Sequence, residues 1–103
     1  MKARLLRLIA FLVLFGGAIR CAAPAPVESY TLARSALEFA KASDASRFAS
    51  KYFLSAEDYY RKGEAAYKGR DFASAKTFFD SARVQAEKAE NLARLKKFKS
   101  GEF

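Results

Sequence analysis

The sequence has no histidine, no tryptophan, one cysteine and two prolines. A single cysteine excludes an internal disulfide, so packing alone must hold the fold together. Without histidine, and with only one thiol, the usual pairs of nucleophile and general base are missing. The sequence also lacks the Cys-x-x-Cys, His-Glu-x-x-His and glycine-rich phosphate-binding patterns. We therefore expect no catalytic residues, no metal site and no cofactor.

The positive charge of the chain is concentrated at its N-terminus. The formal net charge is +8, and Lys2, Arg4, Arg7 and Arg20 supply four of these charges in a stretch without acids. The other 15 Lys and Arg residues are opposed by all 11 Asp and Glu residues. This mildly basic balance does not indicate a nucleic-acid partner.

The N-terminal residues have the layout of a targeting segment. Three cations precede an apolar run at residues 8–19, within the range of about 7–15 residues for signal peptides and shorter than the roughly 20 that a membrane span needs. Cys21 follows directly after Arg20. This arrangement resembles a bacterial lipoprotein signal, which implies cleavage after residue 20 and acylation of Cys21. An ordinary secretory signal and an uncleaved anchor are the alternatives, because a small residue usually precedes the lipidated cysteine.

The segment after the signal is a short tether at residues 21–29. Pro24 and Pro26 favour an extended chain, and two or more acyl chains on Cys21 would make anchoring stable. Ala22 stands where inner-membrane lipoproteins of enterobacterial type carry Asp. That resemblance favours a periplasm-facing location at the outer membrane.

Apolar residues at spacings of three and four predict an all-α domain at residues 30–98, an antiparallel arrangement of three helices followed by a flexible tail at 99–103. The helices are expected at 28–42, at 50–68 and from 72 to about 97, with the last two turns projecting beyond any partner helix. The expected buried faces are Tyr30, Ala33, Leu37 and Ala40; Phe53, Ala56, Tyr60, Gly63 and Tyr67; and Phe72, Ala75, Phe79, Ala82, Ala86, Ala89 and Ala93.

Four local signals set the expected helix boundaries. Residues 43–46 break the first helix, and Ser50 is the expected N-cap of the second. Gly69 suits the left-handed position that ends a helix, and Asp71 suits the N-cap of the next. A connection of three residues predicts an antiparallel hairpin.

The hairpin resembles a tetratricopeptide unit. Tyr59, Gly63, Ala75, Phe79 and Ala82 occur at the spacing of that motif's aromatic, glycine and alanine positions. No second copy occurs 34 residues earlier, so the resemblance implies one repeat-like hairpin.

A wider resemblance covers most of the chain. The chain begins with an anchored cysteine, an Ala/Pro tether and an alanine-rich helix. These are followed by Ala49, Phe53 and Ala56, then by the turn at 67–72, and finally by the alanines of the last helix. The chain in this respect is similar to the small bacterial envelope lipoproteins of the domain-of-unknown-function family numbered 4398. That family has no settled activity, so the resemblance implies a cellular location and a fold.

Two sets of residues are candidate contact surfaces. Tyr52 and Tyr59 lie beside the predicted core stripe, and they either cover alanine-rich neighbours or form a groove for a partner helix or peptide. The tail cations are Arg94, Lys96, Lys97 and Lys99. They either solvate a helix end or make a weak contact with anionic lipid or lipopolysaccharide.

These observations predict a lipid-anchored periplasmic protein with a structural or adaptor role among envelope proteins. The alternative is a small ligand- or peptidoglycan-associated binding protein. A concave pocket with converging polar groups favours the binder, whereas an exposed apolar patch without a pocket favours the adaptor.

Overall fold

A computed structural model describes residues 2–19 and 23–101, and the regular secondary structure of this part of the chain is all helical, without strands. The all-α prediction is therefore confirmed. The five helices are α1 (Lys2–Ile19), α2 (Val27–Ala42), α3 (Ala45–Phe48), α4 (Ser50–Lys68) and α5 (Phe72–Ser100).

Helix α1 contains the apolar run of the predicted signal. Within the described residues it makes no contact with the other helices. None of the described helices is both long and apolar enough to meet the requirement for crossing a membrane. The predicted lipidation site, Cys21, and its neighbours Arg20 and Ala22 lie outside the described residues.

The connection between α2 and α4 differs from the predicted break because it contains the short helix α3. Asp44 precedes α3 with a φ of 57°, a left-handed conformation that Asp tolerates better than most residues. The expected N-cap at Ser50 is wrong: Ala49 occupies that position and makes no side-chain cap. Ala49 ends α3 and also begins α4, because its carbonyl oxygen accepts the first hydrogen bond of α4, from the Phe53 amide at 3.0 Å.

The turn between α4 and α5 corrects one prediction and confirms another. Gly69 has a φ of −78°, and the left-handed residue is Arg70, with a φ of 59°. The Asp71 amide donates to the Ala66 carbonyl oxygen and the Arg70 amide to that of Tyr67, the bonding pattern of a Schellman motif. Asp71 is the N-cap of α5 as predicted, because its carboxylate accepts the Ser74 amide at 3.3 Å.

Helix α5 forms the centre of the domain, with α2 and α4 packed on it more extensively than on each other. Its buried stripe is the predicted one from Ala75 to Ala93, with Phe72 only half-buried at the turn. Alanine side chains bring helix axes close together, and Phe79, which is 0% exposed, fills the remaining volume. The contacts run from Tyr67 and Phe72 at the turn to Phe53 and Ala93 at the far end, so α4 and α5 are antiparallel.

The C-terminal turns of α5 pack against the α2–α4 connection. The Lys97 ammonium lies 2.6 Å from an Asp44 carboxylate oxygen, and the Lys96 ammonium donates to the Phe48 carbonyl oxygen at 2.6 Å. The expectation that these turns project beyond any partner is therefore wrong. Helix α5 continues to Ser100, and Glu102 and Phe103 lie outside the described residues.

Candidate functional site

A groove runs between α2 and α4, because both helices pack mainly on α5 and leave the space between them open. It contains two cavities, of about 410 Å³ and about 340 Å³. The larger is lined by Arg34, Leu37, Glu38, Lys41, Glu57, Tyr60 and Arg61. The smaller is lined by Val27, Tyr30, Glu64, Tyr67, Lys68 and Phe79. These residues recur every three or four positions, so each helix presents one stripe to the groove.

Aromatic rings from three helices meet in this groove. Tyr30 on α2 stacks on Tyr60 of α4 with ring centroids 6.0 Å apart, and it also contacts Tyr67 at 6.5 Å. Phe79 of α5 lies edge-on to Tyr30 at 5.3 Å and tilted against Tyr60 at 5.6 Å. These separations are those of favourable aromatic pairs. The rings therefore form one continuous cluster that spans the two cavities.

Gly63 allows this cluster to form. An added Cβ at Gly63 would lie 2.7 Å from two carbons of the Phe79 ring, closer than van der Waals contact permits. The absence of a side chain lets Phe79 pass α4 and reach Tyr30 on α2. The glycine that resembles the tetratricopeptide position thus serves a close helix approach in this protein.

The charge in the groove comes from its Arg, Lys and Glu side chains. Burial raises the pKa of the Tyr60 hydroxyl above its ordinary value, and the neighbouring Tyr30 hydroxyl and Glu64 add to this effect. Tyr60 is therefore neutral throughout the physiological range. The Tyr30 hydroxyl, and after it Glu38, raises the pKa of the Arg34 guanidinium. Cations and carboxylates of both helices thus surround a neutral aromatic centre.

The predicted partner residues Tyr52 and Tyr59 lie on a different surface, which we call the outer seam. It is the open side of the α4–α5 pair and includes a cavity of about 340 Å³ beside Tyr59 and one of about 380 Å³ beside Tyr52. Both rings are half-buried and pack against the core clusters. Val84 and Leu95 of α5 remain exposed along the same seam.

Three of the four tail cations are engaged within the protein. Lys96 and Lys97 bind the α2–α4 connection as described above, and the Arg94 guanidinium lies 2.6 Å from a Glu90 carboxylate oxygen. The Lys97 ammonium also lies 5.9 Å from the centroid of the Phe48 ring. Lys99 is exposed in the last turn of α5. Lys96 and Lys97 thus hold α5 to the connection, whereas Arg94 pairs within α5 itself.

The α2–α4 groove was not predicted, although its aromatic residues were noted. Tyr30, Tyr60 and Tyr67 were assigned to buried faces, yet Tyr67 is 37% exposed and Tyr30 and Tyr60 are half-buried. That assignment of Tyr67 is wrong because α2 packs mainly on α5 and leaves a groove beside α4, at whose edge Tyr67 lies. The signal was the number of aromatic residues on α4, which is too large for one narrow buried stripe.

Among the described residues, no group of three or more His, Cys, Asp or Glu side chains is arranged to hold a metal ion.

One comparison with known proteins gave a match. The family model described as "Domain of unknown function (DUF4398)" matches residues 28–100, which include nearly all of α2 and the whole of α3, α4 and α5. No curated protein and no solved structure matches the chain.

Proposed function

The chain belongs to the family described as "Domain of unknown function (DUF4398)", as its sequence predicted, and we propose that it acts as a lipid-anchored adaptor of the bacterial cell envelope. In this proposal residues 1–20 are a signal peptide and Cys21 carries the lipid. The domain faces the periplasm, at the outer membrane, and binds a segment of another envelope protein. In this proposal α4 and α5 act as one tetratricopeptide-like hairpin, with α2 packed on one side.

The anchor is supported by the order of sequence features before the domain. Cations precede an apolar run, Cys21 follows the run, and a proline-containing tether separates Cys21 from α2. Cys21→Ser should release the protein from the membrane fraction or leave it as precursor. Arg20→Gly is the matched variant, and it should speed processing because a small residue then precedes the cysteine. The anchor is contradicted if the mature wild-type protein carries no acyl chains and membrane association survives the Cys21→Ser change.

The observation that supports the adaptor role is the outer seam. Helix α2 covers one side of the α4–α5 pair, and the described residues leave the other side uncovered. Tyr52 and Tyr59 stand along that side next to exposed Val84 and Leu95. A seam between two helices, with rigid aromatics at its edge, fits an amphipathic helix of a partner. Tyrosine is also enriched among residues that dominate binding energy.

Crosslinking in intact envelopes tests the adaptor role. Tyr52→Ala combined with Tyr59→Ala should abolish crosslinks to the partner, because losing a hot-spot ring costs about 2 kcal/mol or more. The two rings are half-buried, so we also expect a modest fall in the thermal midpoint. Leu54→Ala is the control, since Leu54 is 59% exposed and lies on the opposite side of α4. A folded double variant that keeps every crosslink contradicts the role of the seam.

A contact between the basic tail and an anionic surface is a minor part of the proposal. Lys99 and the exposed portion of Arg94 would make a weak contact with anionic lipid or lipopolysaccharide, worth about 1 kcal/mol per charge near such a surface. Weak binding of the released Cys21→Ser protein to anionic lipid vesicles that falls with added salt supports this contact. Binding that is unaffected by Lys99→Gln contradicts it.

The second candidate function is binding of a small ligand or a peptidoglycan fragment. It is favoured by the α2–α4 groove, in which neutral rings and charges of both signs converge, as expected for a ligand site. If this function is the correct one, Arg61→Gln should weaken association with purified peptidoglycan. The outer-seam double variant should then have no effect on that association.

A further inference from the structure

The net charge of the helical domain is concentrated at one end, which we call the basic end (residues 41–51 and 87–101). It consists of the end of α2, α3, the start of α4 and the C-terminal half of α5. Its eight Lys and Arg side chains are opposed by only three Asp and Glu side chains. Over residues 23–40 and 52–86 the two signs are balanced, with seven of each. The positive field of the domain therefore comes from the basic end.

The half of the outer seam beside Tyr52, which we call the Tyr52 half, opens at this end. Its cavity is lined by Tyr52 of α4 and by Lys88, Asn91, Leu92 and Leu95 of α5, so the lining holds a cation and no carboxylate. Lys88 is exposed and makes no ion pair with any described residue. The same is true of Lys51, which lies about 100° around α4 from Tyr52. Both helices thus bring an unpaired cation to this half.

The other half of the outer seam, beside Tyr59, is neutral. Its cavity includes Asp80, whose carboxylate lies 2.8 Å from the Lys76 ammonium. On α4 the Lys62 ammonium lies 3.1 Å from an Asp58 carboxylate oxygen and 5.6 Å from the centroid of the Tyr59 ring. Each of these charges already has an opposite charge on its own helix. The outer seam is therefore positively charged in one half only.

This distribution of charge distinguishes among possible occupants of the seam. A second copy would bring only carboxylates that are already paired within their own helix, Asp58 and Asp80. A bilayer surface is flat, whereas Tyr52 is half-buried in a recess between two helices. A helix with carboxylates beside its apolar stripe can lie along the recess, as α2 lies on the other side of α5, and it can pair with both lysines. Complementary charge of this kind sets the choice of partner.

We infer that the outer seam binds an acidic amphipathic helix, whose carboxylates pair with Lys51 and Lys88 at the Tyr52 half. This inference rests on the proposed adaptor role and adds the chemistry of the partner. The residues of α5 that line the seam run from Thr77 to Leu95, 18 positions apart, or about 27 Å along the helix. The bound helix therefore has about five turns. It carries its acids in one half and neutral polar residues in the half over Tyr59.

Carbodiimide crosslinking tests this chemistry, because the reagent joins a carboxylate to a neighbouring ammonium as an amide and takes up the water that is lost. The probes are two synthetic helices of about 18 residues with the same composition and the same leucine stripe. In the first, the glutamates lie beside the stripe in one half of the helix. In the second, they lie on the face opposite the stripe. Each is added to the purified full chain in a nonionic detergent, and mass spectrometry identifies the coupled lysines.

The first peptide should couple to Lys51 and Lys88, and the second should couple to them several-fold less. Lys88→Gln should weaken binding of the first peptide by about twofold to fivefold, the range for one exposed ion pair. Lys68→Gln is the matched control, because it removes the same charge from the α2–α4 groove, and it should have a smaller effect. Unchanged thermal midpoints show that both variants remain folded.

Three results overturn the inference. Equal coupling of both peptides to Lys51 and Lys88 would show attraction by net charge alone. Equal effects of Lys88→Gln and Lys68→Gln would show that the seam does not read the acids. Micelles containing phosphatidylglycerol that displace the first peptide, when micelles containing phosphatidylcholine do not, would identify a lipid surface instead.

The same reagent in intact envelopes separates this inference from the adaptor role. If both are correct, partner crosslinks are lost in the Tyr52→Ala, Tyr59→Ala protein and also in a Lys51→Gln, Lys88→Gln protein. If only the tyrosine changes abolish the crosslinks, the adaptor role stands and the acidic helix is wrong. If neither pair of changes affects the crosslinks, the outer seam is not the partner surface and both proposals fail.

Discussion

Gly63→Ala adds one methyl group to α4 at the point where Phe79 crosses it. The new Cβ would lie 2.7 Å from both Cδ1 and Cε1 of Phe79 and 3.1 Å from its Cγ. Phe79 is 0% exposed, and its ring is surrounded by Tyr30 and Tyr60. The ring therefore cannot swing into solvent to avoid the methyl group.

Two effects of this substitution oppose each other. Replacing glycine by alanine in a helix interior stabilises the helix by about 1 kcal/mol. Overpacking a closely packed core costs about 1–3 kcal/mol, and two ring carbons within 2.7 Å place Gly63→Ala in the upper part of that range. We expect the free energy of unfolding to fall by a net amount of about 1–2 kcal/mol.

Urea unfolding followed by far-ultraviolet circular dichroism measures this change. Gly69→Ala is the matched control, because an added Cβ there would lie 3.5 Å from the Ala65 carbonyl oxygen, an ordinary contact. With a φ of −78°, Gly69 is also in a conformation that alanine adopts readily. That variant should be stabilised by about 0.4–1 kcal/mol.

A double-mutant cycle with Phe79→Leu identifies the source of the loss. If the ring causes the destabilisation, Gly63→Ala should cost less in the Phe79→Leu protein than in the wild type, with a coupling of about 0.5–3 kcal/mol. A Gly63→Ala protein as stable as the Gly69→Ala protein would refute the close approach of α4 to Phe79. So would an additive cycle, because the clash is then elsewhere.

Three further changes test other parts of the fold. Ala82→Leu should lower the thermal midpoint by the equivalent of about 1–3 kcal/mol, since Ala82 is buried in one cluster with Ala33 of α2; an unchanged midpoint places this stripe at the surface. Arg70→Gly should raise the free energy of unfolding by about 0.5–1 kcal/mol, because Arg70 occupies a left-handed conformation that costs residues with a side chain about 1–2 kcal/mol. A lower stability of this variant in urea would show that the Arg70 side chain contributes more than its backbone conformation costs. A hydrogen bond from Lys97 lowers the pKa of Asp44 below its ordinary value of 3.8, so the stabilisation from this ion pair is present above that value and is lost as the pH falls through the lower, folded-state pKa. On acidification the thermal midpoint of the wild type should therefore fall more than that of Asp44→Asn, and equal falls would exclude a stabilising Asp44–Lys97 pair.

The helices and their buried stripe were predictable because both depend on short-range periodicity. Alanines from Ala75 to Ala93 recur at three and four residues, and any helix made from this segment presents them on one face. The cap at Asp71 was predictable for the same reason, since its partner amide is only three residues away. Local spacing is enough for such features.

Two predictions at helix boundaries were wrong because a small local preference was outweighed by packing between helices. Helix α4 ends at Lys68 as predicted, and Gly69 is the better residue for the left-handed position, but the chain places Arg70 there. The position of the turn depends on how α4 and α5 pair, and that pairing outweighs a preference of about 1–2 kcal/mol. Ser50 failed as a cap in a similar way, because α3 supplies the entry to α4.

Of the two candidate surfaces, one follows from local spacing and the other depends on how the helices pack. Tyr52 and Tyr59 were predicted to flank the core because one residue advances about 100° around a helix, and they do line the outer seam. The groove between α2 and α4 was not foreseen, because it exists only where two helices pack on a third. Its key ring, Phe79, lies 49 residues from Tyr30 in sequence.

By itself, the sequence determined that residues 28–42, 50–68 and 72 to about 97 are helical, that the last helix carries a buried alanine stripe, and which family the chain belongs to. These properties follow from repeating patterns and from residues within one or two turns of each other. Only the tertiary structure decided that α5 is central, that Gly63 admits Phe79 and that Lys97 binds Asp44. Such contacts depend on the order in which helices pack, and alanine-rich faces fit several orders. The close approach at Gly63 and the ion pair at Asp44 exist only in the arrangement that α2, α4 and α5 adopt together.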